Sequence, residues 1–421
     1  MIGADQYLRK GNLSVLWFLM VLLFLSGCTS PGTETATEAF QPDTWEEIVA
    51  SGKGATVTIV MWGGNDQVNR YIDEWVATAL LEQHQITLRR VPMNAPEYMA
   101  KFINEKRSGL NTGTADLVWI NGENFRTTRE ADLLWGPFTH LLPNQQDYMN
   151  PESSDLHYDT GVPINGFEAL WGRAQLILAY DSARIPDPPR SYGELLAWAQ
   201  QHPGRLTYPN PMDDFAGAAF IRSAYYELTG LTDEELTREL NREEILEISQ
   251  PVLDYFLALQ PYLWRHGKAY PSSQAQLDDF FRNGETAFSM GFEVGKVLGL
   301  IREGVYPETV DTLIFDSGSI GNSHYLAVPF NAPEKAGALL VIDFLQSPEA
   351  QLHKYKPEVW GDMPAIDPSR LTIELQQELS AIESQPGMPS LETLSASRLP
   401  EMHAQSIDWI KEIWQEEVGG R

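Results

Sequence analysis

Residues 175–199 read QLILAYDSARIPDPPRSYGELLAWA, and the rest of the chain is organised around them. The apolar run 176–180 is short and ends in Tyr180, which suits a buried strand rather than a helix. Residues 182–185 leave room for one turn before Pro186, Pro188 and Pro189 stop any regular element, because proline lacks an amide donor and clashes with a preceding turn. Ser191 then supplies an N-cap, and Glu194 completes a capping box ahead of LLAWA. The order is strand, acidic turn, proline-rich bridge and capped helix.

A chain of 421 residues is too long for one comfortable core and fits two lobes. With 43% hydrophobic residues it has ample apolar surface to bury, which excludes wholesale disorder. Thirty basic against 58 acidic residues give a net charge of −28, which argues against nucleic acid because phosphate contacts need clustered Lys and Arg. Much of that charge reads as solvated surface. The only cysteine is Cys28, so an intrachain disulfide and a multi-cysteine metal site are excluded. Arg9 and Lys10 precede an apolar run, 13–25, that is shorter than a membrane span of about 20 residues. Residues 1–27 therefore read as a signal peptide and 28–44 as a flexible tether.

Beyond the tether, residues 56–62 read as a buried strand running into Gly63-Gly64-Asn65, whose glycines allow positive φ and close approach of a ligand. Asn65 or Asp66 caps a helix over 68–83 with apolar residues at helical spacing. Strand 86–91, helix 98–108 and strand 115–120 complete βαβαβ, which predicts a parallel sheet. The third strand ends in Asn121-Gly122-Glu123-Asn124-Phe125. Past residue 199 the pattern predicts a strand at 205–208, a helix opened by Asp213 and Asp214, a charged helical region over 231–250, and an amphipathic stretch over 251–264 beginning at Pro251. Strands at 286–290 and 312–315 follow.

Three pieces carry a resemblance: the crossing at 175–199, FRNGETAFSMGFE at 281–293, and HYLAVPFNAPEK with FLQSPEAQ at 324–351. In this order they resemble type 2 periplasmic binding proteins, the extracytoplasmic solute receptors of ABC importers. MWGGN, NGENF and YPNPMDDFAGAAF look like the YnjB-type subfamily. The resemblance implies an α/β fold of two lobes, each a mostly parallel sheet flanked by helices and joined by a hinge. Lobe one is expected at 45–174 and 325–347, lobe two at 180–322 and 348–421, with the chain crossing at 175–180 and returning at 323–327. Leu25-Ser26-Gly27-Cys28 resembles a lipoprotein processing site, implying a lipid on Cys28 and a protein held at the membrane in the periplasm or at the cell surface. The implied partners are a small solute, a permease and its ATPase; a monomer with no cofactor and no metal is expected.

In open α/β sheets ligands sit beyond the carboxyl ends of strands. That rule selects Trp62, Gly63, Gly64, Asn65, Asn121, Glu123, Asn124 and Phe125 from lobe one. Tyr180, Asn210, Asp213, Asp214, Phe215, Phe292 and Glu293 are the candidates at the crossing and in lobe two. Flat rings beside a few polar groups make a small-molecule pocket, and Glu123, Asp213, Asp214 and Glu293 suit an organic cation such as thiamine or a polyamine. The alternatives are a sugar stacked on the rings and a glycoside hydrolase using paired carboxylates. Against an enzyme, HExxH is absent, and GFEVGK at 291–296 has the wrong glycine spacing for a phosphate loop and Val297 where a hydroxyl is needed. Tyr225-Tyr226 lies inside a helix and does not make an iron site.

Overall fold

Short apolar strands alternating with amphipathic helices over 56–120 produce the parallel sheet that the pattern predicts. β1 (Thr56–Met61) lies between β2 (Thr87–Pro92) and β3 (Leu117–Ile120), parallel to both. The structure is a computed structural model that describes residues 40–385 and 388–420. Cys28, the apolar leader and most of the tether lie outside the described residues.

β4 (Glu168–Gln175) and β5 (Ile177–Asp181) carry the chain from the first lobe to the second, with only Leu176 between them. The Leu176 amide donates to the Ile320 carbonyl at 2.9 Å, so the crossing is itself hydrogen-bonded. In the second lobe β5 is flanked by β6 (Phe288–Gly291) and β7 (Val310–Leu313). The chain returns along β8 (Ser319–Pro329), eleven residues buried throughout, which lies between β4 and β3 and runs antiparallel to both. The large sheet thus reads Met363–Pro364, β4, β8, β3, β1, β2, with Leu134–Trp135 and Arg398–Leu399 added along β8.

Several sequence expectations need correction. The second sheet is antiparallel throughout, not mostly parallel. β6, the helix Val294–Arg302 and β7 do form a local β-α-β unit with parallel strands, but the strand between them is the incoming β5, which runs the other way. Residues 205–208 are no strand: Leu206 makes one isolated bridge, to Leu263, and Leu206 and Tyr208 are buried within the second-lobe core. The helix Arg242–Leu259 runs straight through Pro251. Its apolar face, Val252, Tyr255, Phe256 and Leu259, packs into the largest core, where that burial outweighs the lost amide bond. The boundary expected after residue 347 falls differently as well. Pro348–Tyr355 and Met363–Pro364 belong with the large sheet, since Met363 pairs with Arg173 of β4 and buried Gln351 bonds the Trp171 carbonyl at 2.8 Å.

The bridge after β5 behaves as its residues require. Ser191 Oγ accepts the Glu194 amide at 3.1 Å, and the Glu194 carboxylate reaches back to the Arg190 amide at 2.7 Å. Ser191→Ala is expected to cost about 1 kcal/mol, read as a shift in urea midpoint at unchanged slope. A loss below roughly 0.3 kcal/mol would mean that the fully buried Tyr192 and Leu195, rather than the cap, hold this helix start.

Candidate functional site

The turn after β1 is shaped by its aromatic residue. Trp62 is 44% exposed, and its indole lies so close over Gly64 that a β-carbon there would fall 2.3 Å from the ring. Gly63 is likewise crowded by Pro92. Neither glycine has positive φ; close approach, not backbone conformation, is what requires them. Asn65 rather than Asp66 is the cap, its Oδ1 accepting the Gln67 and Val68 amides. After β3, the Asn121 side chain donates to Asn322 of β8 at 3.0 Å, and Gly122, at φ +57°, donates its amide to the Asp159 carboxylate. Asn124 is half-buried in the same turn.

Two of the selected aromatics sit elsewhere. Phe125 is fully buried in the first-lobe core with Tyr98, Phe102 and Val118, because its place on the helix Gly122–Glu130 turns it toward the sheet. Tyr180 is buried in the second-lobe core, inside β5 rather than at its end. Both are packing residues. Glu123 is drawn to the second lobe: it lies 3.9 Å from Lys411 and, after burial, is the next cause pushing Asp408 up to about 6.

In the second lobe Asn210, Asp213, Asp214, Phe215, Phe292 and Glu293 come together in one patch. Asn210 makes a tight turn, its Oδ1 accepting the Met212 amide at 3.0 Å while Asp213 and Asp214 donate to its carbonyl. Asp214 caps the helix Phe215–Leu228 through the Ala216 amide at 2.8 Å, and its other oxygen accepts the Gln274 amide. The Gln274 side chain donates to Glu293 at 3.2 Å. The rings of Phe215 and Phe292 pack 4.9 Å apart, with Phe215 46% exposed and Phe292 half-buried. Asp213 remains exposed.

A chain of charged residues that the sequence reading did not single out links the two rims. Arg222 is 1% exposed and holds Glu401 by two bonds, 2.8 and 2.6 Å, while its guanidinium lies 5.3 Å from the Phe215 ring centre. Burial pushes the Asp159 carboxyl up to about 8, the Gly122 amide opposing and the Glu401 charge adding to the rise. Phe215, Arg222, Glu401, Asp159 and Gly122 therefore run in sequence from lobe two to lobe one. The signal for Arg222 was present: it is the only basic residue in FAGAAFIRSAYYEL, two turns from Phe215 on the same helix face. Asp159 lies in an irregular segment with no pattern to expose it.

Two lobes, a hydrogen-bonded double crossing and polar-aromatic turns at the strand ends define a hinged solute receptor. Residues 75–382 match the bacterial extracellular solute-binding protein family, and the chain belongs to that family. Among particular relatives, protein YnjB of Escherichia coli (strain K12) is 34% identical over 378 residues, 89% of this chain and 94% of its own. The fold is also that of an ABC transporter structure from Clostridium perfringens (TM-score 0.61, 16% identity, covering 86% of this chain and 99% of that one). The PotD spermidine/putrescine substrate-binding protein of Streptococcus pneumoniae shares it too (TM-score 0.60, 15% identity, 86% and 99%). The family to which the crossing and FLQSPEAQ pointed is the family shown: an extracellular solute-binding protein of ABC transporters.

Proposed function

We propose that this chain captures a small organic cation between its lobes and presents it to an ABC permease and its ATPase, with lipid on Cys28 holding it at the membrane. The observation that carries the cation reading is the second-lobe patch, where the packed pair of exposed Phe215 and half-buried Phe292 is bordered by Asp213, Asp214 and Glu293. Ring faces and carboxylates together attract a cation, by about 0.5–2 kcal/mol per ring. Arg222 already occupies the neighbourhood of Phe215, so Trp62 and Phe292 are the faces left for the ligand. Asp214 and Glu293 are both tied to Gln274, an arrangement that fixes them as walls and favours binding over hydrolysis. Closure follows when contacts from both lobes favour the closed state.

Calorimetric titration of the full chain in mild detergent with thiamine, putrescine, spermidine, maltose and glucose 6-phosphate tests this. Cation binding should weaken by roughly 10- to 30-fold in Trp62→Ala. Gly64→Val should do the same by displacing the indole, with little loss of stability because Trp62 is exposed. Binding of sugars alone would dispose of the cation reading. Release of a cleaved product would replace binding by catalysis.

A further inference from the structure

A cavity of about 980 Å³ is not at the strand-end turns at all: none of Trp62, Asn65, Asn121, Phe215 and Phe292 lines it. It lies against the hinge, where β4 and β8 contribute Arg173 and Ser323, and the C-terminal segment contributes Arg398. Asp155 is the charge at its floor. Arg173 saturates one side of that carboxylate with bonds of 2.7 and 3.1 Å, and Ser323 and Ser153 donate to it at 3.0 and 2.6 Å. The remaining Arg173 donors go to Pro364, Ala365 and Ser153.

Arg398 is left short of partners. Its Nη2 donates to Ser323 at 2.9 Å, its Nη1 stands 3.9 Å from the already saturated Asp155, and its Nε is buried over Gly321 with no acceptor. Two guanidinium groups thus flank one saturated carboxylate, and Arg398 has no carboxylate of its own within hydrogen-bond distance. Burial and the neighbouring Arg173 both push the Arg398 group down, as expected of a cation lacking its anion. The other charges do not neutralise it. Glu401 is committed to Arg222, Asp367 accepts from Ser369 and acts on Arg173, Asp159 is held protonated through neutral pH, and Glu234 and Glu392 are exposed at the mouth. Apolar surface on its walls comes from Tyr158, Leu391 and Pro400.

We propose that this hinge cavity is a second ligand site, taking a small monocarboxylate whose anionic end meets Arg398 and whose apolar body rests on Tyr158, Leu391 and Pro400. The volume is that of a ligand pocket rather than a water site. A carboxylate suits the floor because Arg398 Nη1 has no acceptor within hydrogen-bond distance and a charge-assisted bond to an anion would satisfy it. Such an occupant touches both strands that join the lobes.

The test is calorimetric titration of the full chain in mild detergent, at fixed ionic strength, with butyrate, hexanoate and benzoate, and with hexanamide and inorganic phosphate as comparisons. Hexanoate and benzoate should bind once per chain and hexanamide not at all. Arg398→Met should weaken binding at least tenfold, and Arg398→Lys only several-fold, since its ammonium keeps the charge but not the Nη1 position; the lysine variant keeps the test alive if the methionine variant does not fold. Trp62→Ala should leave carboxylate binding unchanged, which separates this site from the cleft. Absence of carboxylate binding, phosphate binding in its place, equal binding by both Arg398 variants, or loss in Trp62→Ala would each overturn the proposal.

Discussion

Arg222→Met is expected to destabilise the protein by about 3–5 kcal/mol in urea unfolding, the largest single-residue loss foreseen outside the apolar cores. Arg222 and Glu401 are both nearly inaccessible to water, and two short bonds join them in parallel. Removing the guanidinium leaves the Glu401 charge buried beside Asp159 with no cation hydrogen-bonded to it, and that desolvated charge, rather than the lost bonds, sets the size of the effect. Replacing both partners, Arg222→Met with Glu401→Leu, should recover most of the loss, because a buried ion pair and a well-packed apolar pair are of similar worth. A single-variant loss under about 1 kcal/mol would show that water reaches Glu401 and that the link between the rims is loose.

The second large effect is on pH dependence. Asp159 has an ordinary carboxyl value of 3.8 and is pushed up to about 8 in the folded protein, chiefly by burial. Glu168, 1% exposed and with no hydrogen-bond partner on either oxygen, is raised well above its usual range by burial and then by Asp159. The folded chain therefore keeps a proton that the unfolded chain has already released. The contribution is fully present below the ordinary carboxyl range and is lost progressively as pH rises toward 8. At roughly 1.4 kcal/mol per unit of displacement, Asp159 alone takes on the order of 5 kcal/mol from stability across that window. Asp159→Asn, which keeps an acceptor for Gly122, should flatten the slope between pH 5 and 8 and stabilise the protein near pH 8. The charged and titrating neighbours are Glu401, Glu168 and, near Glu168, Arg129. Urea midpoints from pH 5 to 8.5 decide it; parallel curves for the two proteins would mean Asp159 is ionised throughout.

Local rules account for what the sequence revealed. FLQSPEAQ is legible because each residue has a short-range duty: Pro348 opens the helix that follows Lys335–Gln346, and Ser347 caps it through the Ala350 amide. Its two glutamines, both fully buried, tie those helices to the β4 carbonyls of Leu170 and Trp171. The direction of β5 between β6 and β7 is different in kind, since it depends on where the first lobe releases the chain. The ion pair from Arg222 to Glu401 spans 179 positions, and no spacing rule reaches that far. The aromatic candidates divided by the same logic. Trp62 and Phe215 end or begin elements and stay exposed, whereas Phe125 and Tyr180 lie within elements whose faces turn inward.

β8 has a consequence for how the protein is made. It supplies the middle of the large sheet from residues 319–329, between strands drawn from 117–120 and 168–175. A chain emerging amino end first must present the bare edges of β3 and β4, two apolar strands with unpaired backbone, until more than three-quarters of its length has appeared. Neither lobe is finished earlier, because the second also draws its core from the helix Ala404–Trp414. Those edges thus stay open for most of synthesis, and the second core is completed only by the last tenth of the polypeptide. That delay suits a protein threaded across a membrane before it folds, and it makes carboxy-terminal truncation more damaging than the modest size of the missing piece would suggest.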